Sequence, residues 1–298
     1  MKLLAIDIGG TSIKSALFEN NRAHRFSEIP SDAKSGASFL LNKLYHLIEQ
    51  HSGYDAIGVS TAGQVDNVGG SILFANENIP GYTGTPLKKL LNDRFGVPVF
   101  VENDVNAAAL GEGVFGAARD EKDFLCLTYG TGVGGAIVIQ RRIYRGSSLV
   151  AGEFGHLIIH GGGLLCACGQ KGCYEQYAST TALIRSAQAV NPSFSNGRIL
   201  FESLASGNET ARQAVDRWIE EVLHGLAGLV HIFNPSCIVL GGGIMNEDYI
   251  LQEIGRLLPG RIMKSYQKVQ VKKAQLGNHA GLYGMVAIAG TEMPGTLE

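Results

Sequence analysis

Short apolar runs alternating with amphipathic stretches set the pattern of the chain. Leu3–Ile8 is apolar apart from Asp7 and ends in Asp-Ile-Gly-Gly-Thr, and a second run, Ile13–Phe18, follows at once. This pattern predicts strand, tight glycine turn, strand. Ser38–His51 carries Phe39, Leu40, Leu44, Leu47 and Ile48 at helical spacing. Ala56–Ser60 reads as a short strand, Pro86–Phe95 as a helix, Val97–Val101 as a strand and Val105–Gly111 as an alanine-rich helix. Phe124–Thr128 then repeats the opening pattern, running into Tyr-Gly-Thr-Gly-Val-Gly-Gly before the strand resumes at Ala136–Ile139. Asp7 falls on Thr128, Gly9 on Gly130 and Thr11 on Gly132. The match reads as a duplicated hairpin opening two similar α/β domains, with chance likeness of two glycine hairpins as the alternative.

The second half predicts helices near Thr180–Val190 and Asn208–Phe233, a strand at Cys237–Leu240, a glycine turn at Gly241–Gly243 leading into more helix, and a small-residue helix over Ala280–Ala289. Alternating strands and helices imply mostly parallel sheets. Charged, turn-rich Ala117–Asp123 marks the expected domain boundary. No low-complexity linker separates the halves, so an extensive shared cleft is expected.

Composition narrows the class. With 298 residues, 45% hydrophobic and 17% charged, the chain is ordinary globular protein. A chain of this size buries roughly 75% of its unfolded surface, so disulfides are not needed for stability. A net charge of −2 argues against an electrostatic grip on nucleic acid or an anionic membrane. The longest charge-free run, Val222–Asn246, holds His224, His231, Asn234, Pro235 and a triple glycine, too polar and broken for a bilayer span. Asp7 interrupts the N-terminal apolar stretch, so no signal peptide is expected. Glycine is the outlier at forty residues, well above the usual ~7%. Three of the five cysteines crowd together as Cys166, Cys168 and Cys173. That suggests a metal site in a reducing compartment, hence a cytoplasmic protein, rather than a disulfide framework.

Four motifs carry candidate chemistry. Asp7-Ile-Gly-Gly-Thr11 and Gly130-Thr131-Gly132 are either plain hairpin turns or loops whose bare N–H groups cradle phosphate, with Asp7 near Mg²⁺. Neither is a dinucleotide fingerprint or a Walker loop. With Gly241–Gly243, three glycine turns at strand ends favour a nucleotide between two domains, the actin-like ATPase arrangement. Asn103 and Asp104 precede a helix and are either its caps or, for Asp104, a carboxylate that accepts a hydroxyl proton during phosphoryl transfer. His156, Cys166, Cys168 and Cys173 make a closed tetrahedral set for structural Zn²⁺, with free loop thiols as the alternative. Glu153 and Glu175 flank that set; paired carboxylates suit sugar hydroxyls, or a glycosidase.

Taken together these residues resemble the ROK family of bacterial repressors, open reading frames and sugar kinases. The resemblance covers essentially the whole chain, from Asp7-Ile-Gly-Gly-Thr11 to Asn278-His-Ala-Gly281. Gly155-His156, Gly163, Cys166, Cys168-Gly169, Gly172-Cys173, Glu175 and Ser179 fill every fixed position of the family's zinc pattern. The resemblance implies an actin-like (ribonuclease H-like) α/β fold with an interdomain cleft. Its domains would be residues 1–117 with the C-terminal helix 280–292, and residues 118–279 with the zinc loop and adenosine site. It implies that Asp104 is the general base on the sugar hydroxyl and that Asn103, Gly63, Glu153, His156 and Glu175 contact the sugar. His156 would place one ring nitrogen on zinc and the other toward the sugar. Asp7, Gly9, Gly10, Thr11, Thr131, Gly132 and Gly242 would line the ATP and Mg²⁺ site.

There are two departures. Ser12 stands where the family usually has Lys, and Lys14 lies on the same strand face about 7 Å away. Thr61-Ala62-Gly63 replaces the frequent Pro-Gly. The implied activity is ATP-dependent phosphorylation of a hexose, most simply at the 6-hydroxyl, in a homodimer. Glucose or a β-glucoside is favoured, with N-acetylmannosamine next. The rivals are a non-catalytic sugar sensor, a glycosidase and a transcriptional regulator. A regulator is expected to carry a DNA-binding domain before the Asp-x-Gly-Gly motif, where only six residues stand here.

Overall fold

The computed structural model describes residues 2–292, and the chain divides into two compact units. The first comprises 2–119, 142–151 and 278–292; the second comprises 120–141 and 152–277.

The first unit runs β1 (Lys2–Ile8), β2 (Ser12–Glu19), β3 (Arg22–Pro30), α1 (Ala37–Glu49), β4 (Ala56–Thr61), β5 (Gln64–Asp66), β6 (Ser71–Phe74), α2 (Leu87–Phe95), β7 (Val99–Asn103) and α3 (Asp104–Phe115), and it gains the C-terminal helix Ala280–Glu292. Its main sheet has the order β3-β2-β1-β4-β7. The hairpin β1–β2 is antiparallel, whereas β1-β4-β7 are parallel. Period-two alternation sends Leu4, Ile6 and Ile8 to one face with Leu40 and Leu44 of α1 and Leu87 and Leu91 of α2. Leu3 and Ala5 go to the other face with Phe18, Phe100 and Leu282 and Met285 of the C-terminal helix. Because both faces are covered, β1 reads as a nearly unbroken apolar run. The small residues of the C-terminal helix are needed for close packing: a Cβ on Gly284 would lie 1.9 Å from the Ala107 carbonyl oxygen.

In the second unit β8 (Phe124–Tyr129) and β9 (Val133–Ile139) form the repeated antiparallel hairpin. Helices α4 (Glu175–Ala178), α5 (Thr180–Val190), α6 (Gly197–Ala205) and α7 (Glu209–Phe233) follow, then β11 (Cys237–Gly241), α8 (Asp248–Leu257) and β12 (Gln270–Lys273). The strands run β9-β8-β11-β12, with β8, β11 and β12 parallel. Each unit thus starts with a hairpin whose first strand continues into parallel neighbours, as the repeat requires. Asn208 caps α7 by accepting from Ala211 N, and Asn234 ends it in the left-handed conformation just before Pro235.

Some boundaries differ from those predicted. Strand β7 starts at Val99 rather than Val97, because pairing with β4 begins at Ile57 opposite Val99, while Pro98 contributes only its carbonyl, to Ile57 N. Helix α3 runs on to Phe115, carried past its glycines by packing on the C-terminal helix. Strands β3, β5, β6 and β12 and helix α6 were not anticipated. Segment 142–151, opening with β10 (Arg142–Ile143), was expected in the second half but belongs to the first unit. It is held there partly by Arg145, which pairs with Glu102. No described helix is long and apolar enough to cross a membrane.

Candidate functional site

Strand register assembles a polar group at one end of the first sheet. Asp7 stands opposite Lys14 on β2 and opposite Ser60 on β4, and Thr61 stands opposite Asn103 on β7. Ser60 Oγ donates to Asp7 Oδ1 at 2.8 Å, and Lys14 Nζ lies 3.9 Å from Oδ2. Lys14, two residues beyond the position where a lysine was expected, is therefore an ion-pair partner of Asp7. Burial pushes the Asp7 carboxyl up, opposed by Ser60, Lys14 and His279. Gly9, Gly10 and Thr11 form the neighbouring hairpin tip, closed by Gly9 N donating to Ser12 O at 2.9 Å.

Asn103 is the N-cap of α3, its Oδ1 accepting from Val105 N and Asn106 N at 3.0 Å each. Its Nδ2 donates to Gly63 O and to Asp104 Oδ1, both at 2.9 Å. All four hydrogen-bonding positions of this amide are therefore occupied. A sugar hydroxyl could reach Asn103 only by exchanging with one of them. Asp104 Oδ1 also accepts from Val105 N at 2.9 Å, which fixes the plane of the carboxylate. Burial first, and then the charge of Asp7, push the Asp104 carboxyl up to about 7. Two mutually repelling carboxylates with one nearby lysine are a donor set that fits a hard divalent cation.

Beneath this pair lies a contact that sequence reasoning missed. Glu102 is 2% exposed. Its Oε1 accepts from Asn103 N at 3.0 Å and Asn106 Nδ2 at 3.1 Å, and its Oε2 from Arg145 Nη2. The glutamate thus ties segment 142–151 to the turn that carries Asp104. Nothing local in the sequence marks Arg145 as its partner.

In the second unit the chemistry is carried by loops packed on β9. Along Glu153-Phe-Gly-His156 the middle two residues are buried and Glu153 and His156 are exposed. Gly132 leaves room for Glu175: a Cβ there would lie 2.6 Å from Glu175 Oε2 and would push that carboxylate aside. The other carboxylate oxygen, Oε1, lies 3.1 Å from Cys166 Sγ. Glu175 therefore joins the glycine hairpin to the cysteine cluster. The ligand atoms of His156, Cys166, Cys168 and Cys173 all lie within 4.8 Å of one another. Cys168 and Cys173 sulfurs are 3.5 Å apart, and Cys166 Sγ is 3.7 Å from His156 Nδ1. Tetrahedral zinc with bonds of ~2.3 Å to sulfur needs ligand separations of roughly 3.5–3.8 Å, so the four residues fit the ion.

The hairpin tip Gly130-Thr131-Gly132 also borders a cavity of about 1040 Å³, lined mainly by α5 and α6 with Ile184, Gln188 and Phe201, and by Gly243 and Ile244. Gly242 closes its approach to β8: with φ +98° and a notional Cβ 2.1 Å from Tyr129 O, no other residue fits. Thr180 N donates to Gly130 O at 2.9 Å and fastens α5 to the same hairpin. The lining residues from α5 and α6 were not foreseen, since their helical spacing looks like that of any packed helix.

The ROK family model matches residues 3–292. The chain belongs to the ROK family. A glucokinase of Streptomyces coelicolor is 36% identical over 320 aligned positions, covering 96% of each chain. The structure of a ROK family glucokinase from Streptomyces griseus, in complex with glucose and AMPPNP, is 33% identical with a TM-score of 0.83, covering 97% of this chain and 99% of that one. A ROK hexokinase from Thermus thermophilus is 34% identical with a TM-score of 0.85, covering 98% and 99%. The ROK fold is the actin-like ATPase fold, with two α/β units each opened by a glycine hairpin.

Proposed function

We propose that this chain is an ATP-dependent sugar kinase that transfers the γ-phosphoryl group of ATP to the 6-hydroxyl of a hexose. Glucose or a β-glucoside is the first expectation and N-acetylmannosamine the second. The observation that carries the reading is Asp104. It stands at the end of a parallel strand, with its plane held by Asn103 and Val105 N, and its carboxyl is raised to about 7, in the range useful to a base at neutral pH. The Streptomyces griseus relative, solved with glucose and AMPPNP, favours glucose.

In this reading Asp104 Oδ1 is committed to the start of α3, and Oδ2 accepts the hydroxyl proton as the oxygen–phosphorus bond forms. Asn103 keeps the carboxylate turned and shares its amide with the sugar. Gly63, bonded to that amide, borders the sugar. Glu153, His156 and Glu175 hold sugar hydroxyls, with His156 Nδ1 directed to the metal cluster and its other ring nitrogen to the sugar. Gly9, Gly10, Thr11, Thr131, Gly132 and Gly242 hold the triphosphate, and the α5–α6 cavity takes the adenosine. Asp7, with Ser60 orienting one of its oxygens, would hold Mg²⁺, which would supply charge neutralisation on the transferring phosphates. Zn²⁺ on His156, Cys166, Cys168 and Cys173 is structural, cross-linking the loop that presents Glu175. We infer a cytoplasmic homodimer acting on small molecules.

A sugar panel with coupled ADP detection tests the proposal. ATP- and sugar-dependent ADP release with glucose, a β-glucoside or N-acetylmannosamine is expected. Sugar binding with no ADP release from any of them would leave a sensor instead, and sugar release without ATP would leave a glycosidase.

A further inference from the structure

A second group of metal-ligating side chains lies outside the sites described above. His160 Nε2 is 2.7 Å from Glu221 Oε2, and His224 Nδ1 is 3.4 Å from the same oxygen. The three donor atoms all lie within 4.8 Å of one another. Glu221 and His224 are one helical turn apart on α7, the Glu-x-x-His spacing that sends two metal ligands to one side of a helix. His160 comes from the loop before the cysteines. We propose that His160, Glu221 and His224 form a second metal site, separate from the Cys–His cluster, for one exchangeable divalent cation of borderline softness such as Zn²⁺ or Ni²⁺.

The chemistry of the donors selects the ion. Two imidazoles and one carboxylate suit Zn²⁺ or Ni²⁺ rather than Mg²⁺ or Ca²⁺, which prefer all-oxygen shells. Bonds of ~2.0–2.2 Å to tetrahedral zinc place ligand atoms roughly 3.4 Å apart. The His224–Glu221 separation has that value already. The His160–Glu221 contact is a hydrogen bond of 2.7 Å, and it lengthens by roughly 0.7 Å when a cation takes the place of the shared proton. His224 is 50% exposed, so the ion enters from solvent and keeps water in its remaining position.

The loop side is anchored before any metal binds. His160 N donates to Gly172 O at 3.3 Å, and His160 O accepts from Gly163 N at 3.0 Å. The Tyr177 ring stands edge-on to the imidazole at 4.4 Å, while its hydroxyl accepts from Leu164 N at 2.7 Å. His160 therefore sits at the base of the loop that carries Cys166, Cys168 and Cys173, and a cation shared with α7 staples that loop to the long helix. The alternative is a hydrogen-bonded His–Glu–His triad with no affinity for metal.

Equilibrium dialysis of the full chain against micromolar free Zn²⁺, and separately Ni²⁺, under reducing conditions decides between them. Bound metal is counted by elemental analysis for wild type, Glu221→Gln and His224→Ala. Wild type is expected to hold one equivalent more than either variant, and affinity for that equivalent to fall at least about tenfold in both. His224 is half exposed, so its replacement leaves the fold intact, and circular dichroism of each variant checks this. Because the quantity read is a difference between chains with the same Cys–His cluster, occupancy of that cluster does not affect it. Equal stoichiometry and affinity in all three proteins would overturn the proposal. The measurement needs no catalytic activity, so its outcome is independent of the kinase reading.

Discussion

Replacing Arg145 by Met removes the cationic partner of Glu102, a carboxylate that is 2% exposed. The charge that remains keeps two neutral donors, Asn103 N and Asn106 Nδ2. Breaking a buried pair from one side costs about 3–5 kcal/mol, whereas replacing both partners with uncharged groups of similar size is often close to neutral. Arg145 retains 24% exposure, so the lower end, about 3 kcal/mol, is the expected loss for Arg145→Met. With urea slopes of ~1–3 kcal/mol per molar, the midpoint of the first unit should fall by roughly 1–3 M. The probe must be far-UV circular dichroism, because the single tryptophan, Trp218, lies on α7 in the second unit and reports that unit instead. Glu102→Gln combined with Arg145→Met should recover most of the loss. Since Glu102 also holds the backbone N–H next to Asp104, the Arg145 variant should lose kcat more than it raises the sugar KM. A single-variant loss under 0.5 kcal/mol, or a double variant as unstable as the two singles added, would refute the coupling.

The raised Asp104 carboxyl gives a pH signature of two parts. The base must be ionised, so kcat/KM should fall about tenfold per pH unit below about 7. A carboxyl raised by folding contributes stability that is present below its unfolded value and lost as pH rises through about 7, so Asp104→Asn should raise the thermal unfolding temperature of the first unit at pH 8. An acid limb below pH 5, or a destabilised variant, would contradict this. Purified protein kept reduced should carry stoichiometric zinc on the Cys–His cluster, and Cys168→Ser should lower that content and raise the sugar KM; zinc-free wild type with full activity would dismiss the structural ion. Gly132→Ala places a methyl group 2.6 Å from Glu175 Oε2 and should displace that carboxylate. The lost charged hydrogen bond corresponds to a sugar KM about 10- to 100-fold higher, and an unchanged KM would argue that Glu175 does not touch sugar.

Legibility from sequence followed physical cause. β1 and β4 were visible as short apolar runs, because both faces of their sheet are covered, and α1 because Leu40, Leu44, Leu47 and Ile48 recur at helical spacing. β3 was not, since Arg22–Pro30 is an edge strand with every position exposed or half-exposed and no apolar period. The repeated hairpin and the Cys–His cluster were readable because both are local in sequence. Arg145 with Glu102, and His160 with Glu221, were not, because each pair is joined only by tertiary structure. At Asn103 the capping reading is the one the geometry displays: the side chain caps α3, and its amide also donates to the Asp104 carboxylate. The cavity beside Thr131 depends on α6, whose lining positions follow the same spacing as an ordinary packing face.

The turnover of Asp104→Asn with the best sugar found for wild type tests the account most directly. The amide preserves size and the hydrogen bond to Val105 N but cannot take the proton. A kcat lowered by about 10³, with sugar and nucleotide affinities within a few-fold of wild type, is the predicted result. A variant that keeps a tenth of the wild-type kcat would contradict the assignment of Asp104 as the base.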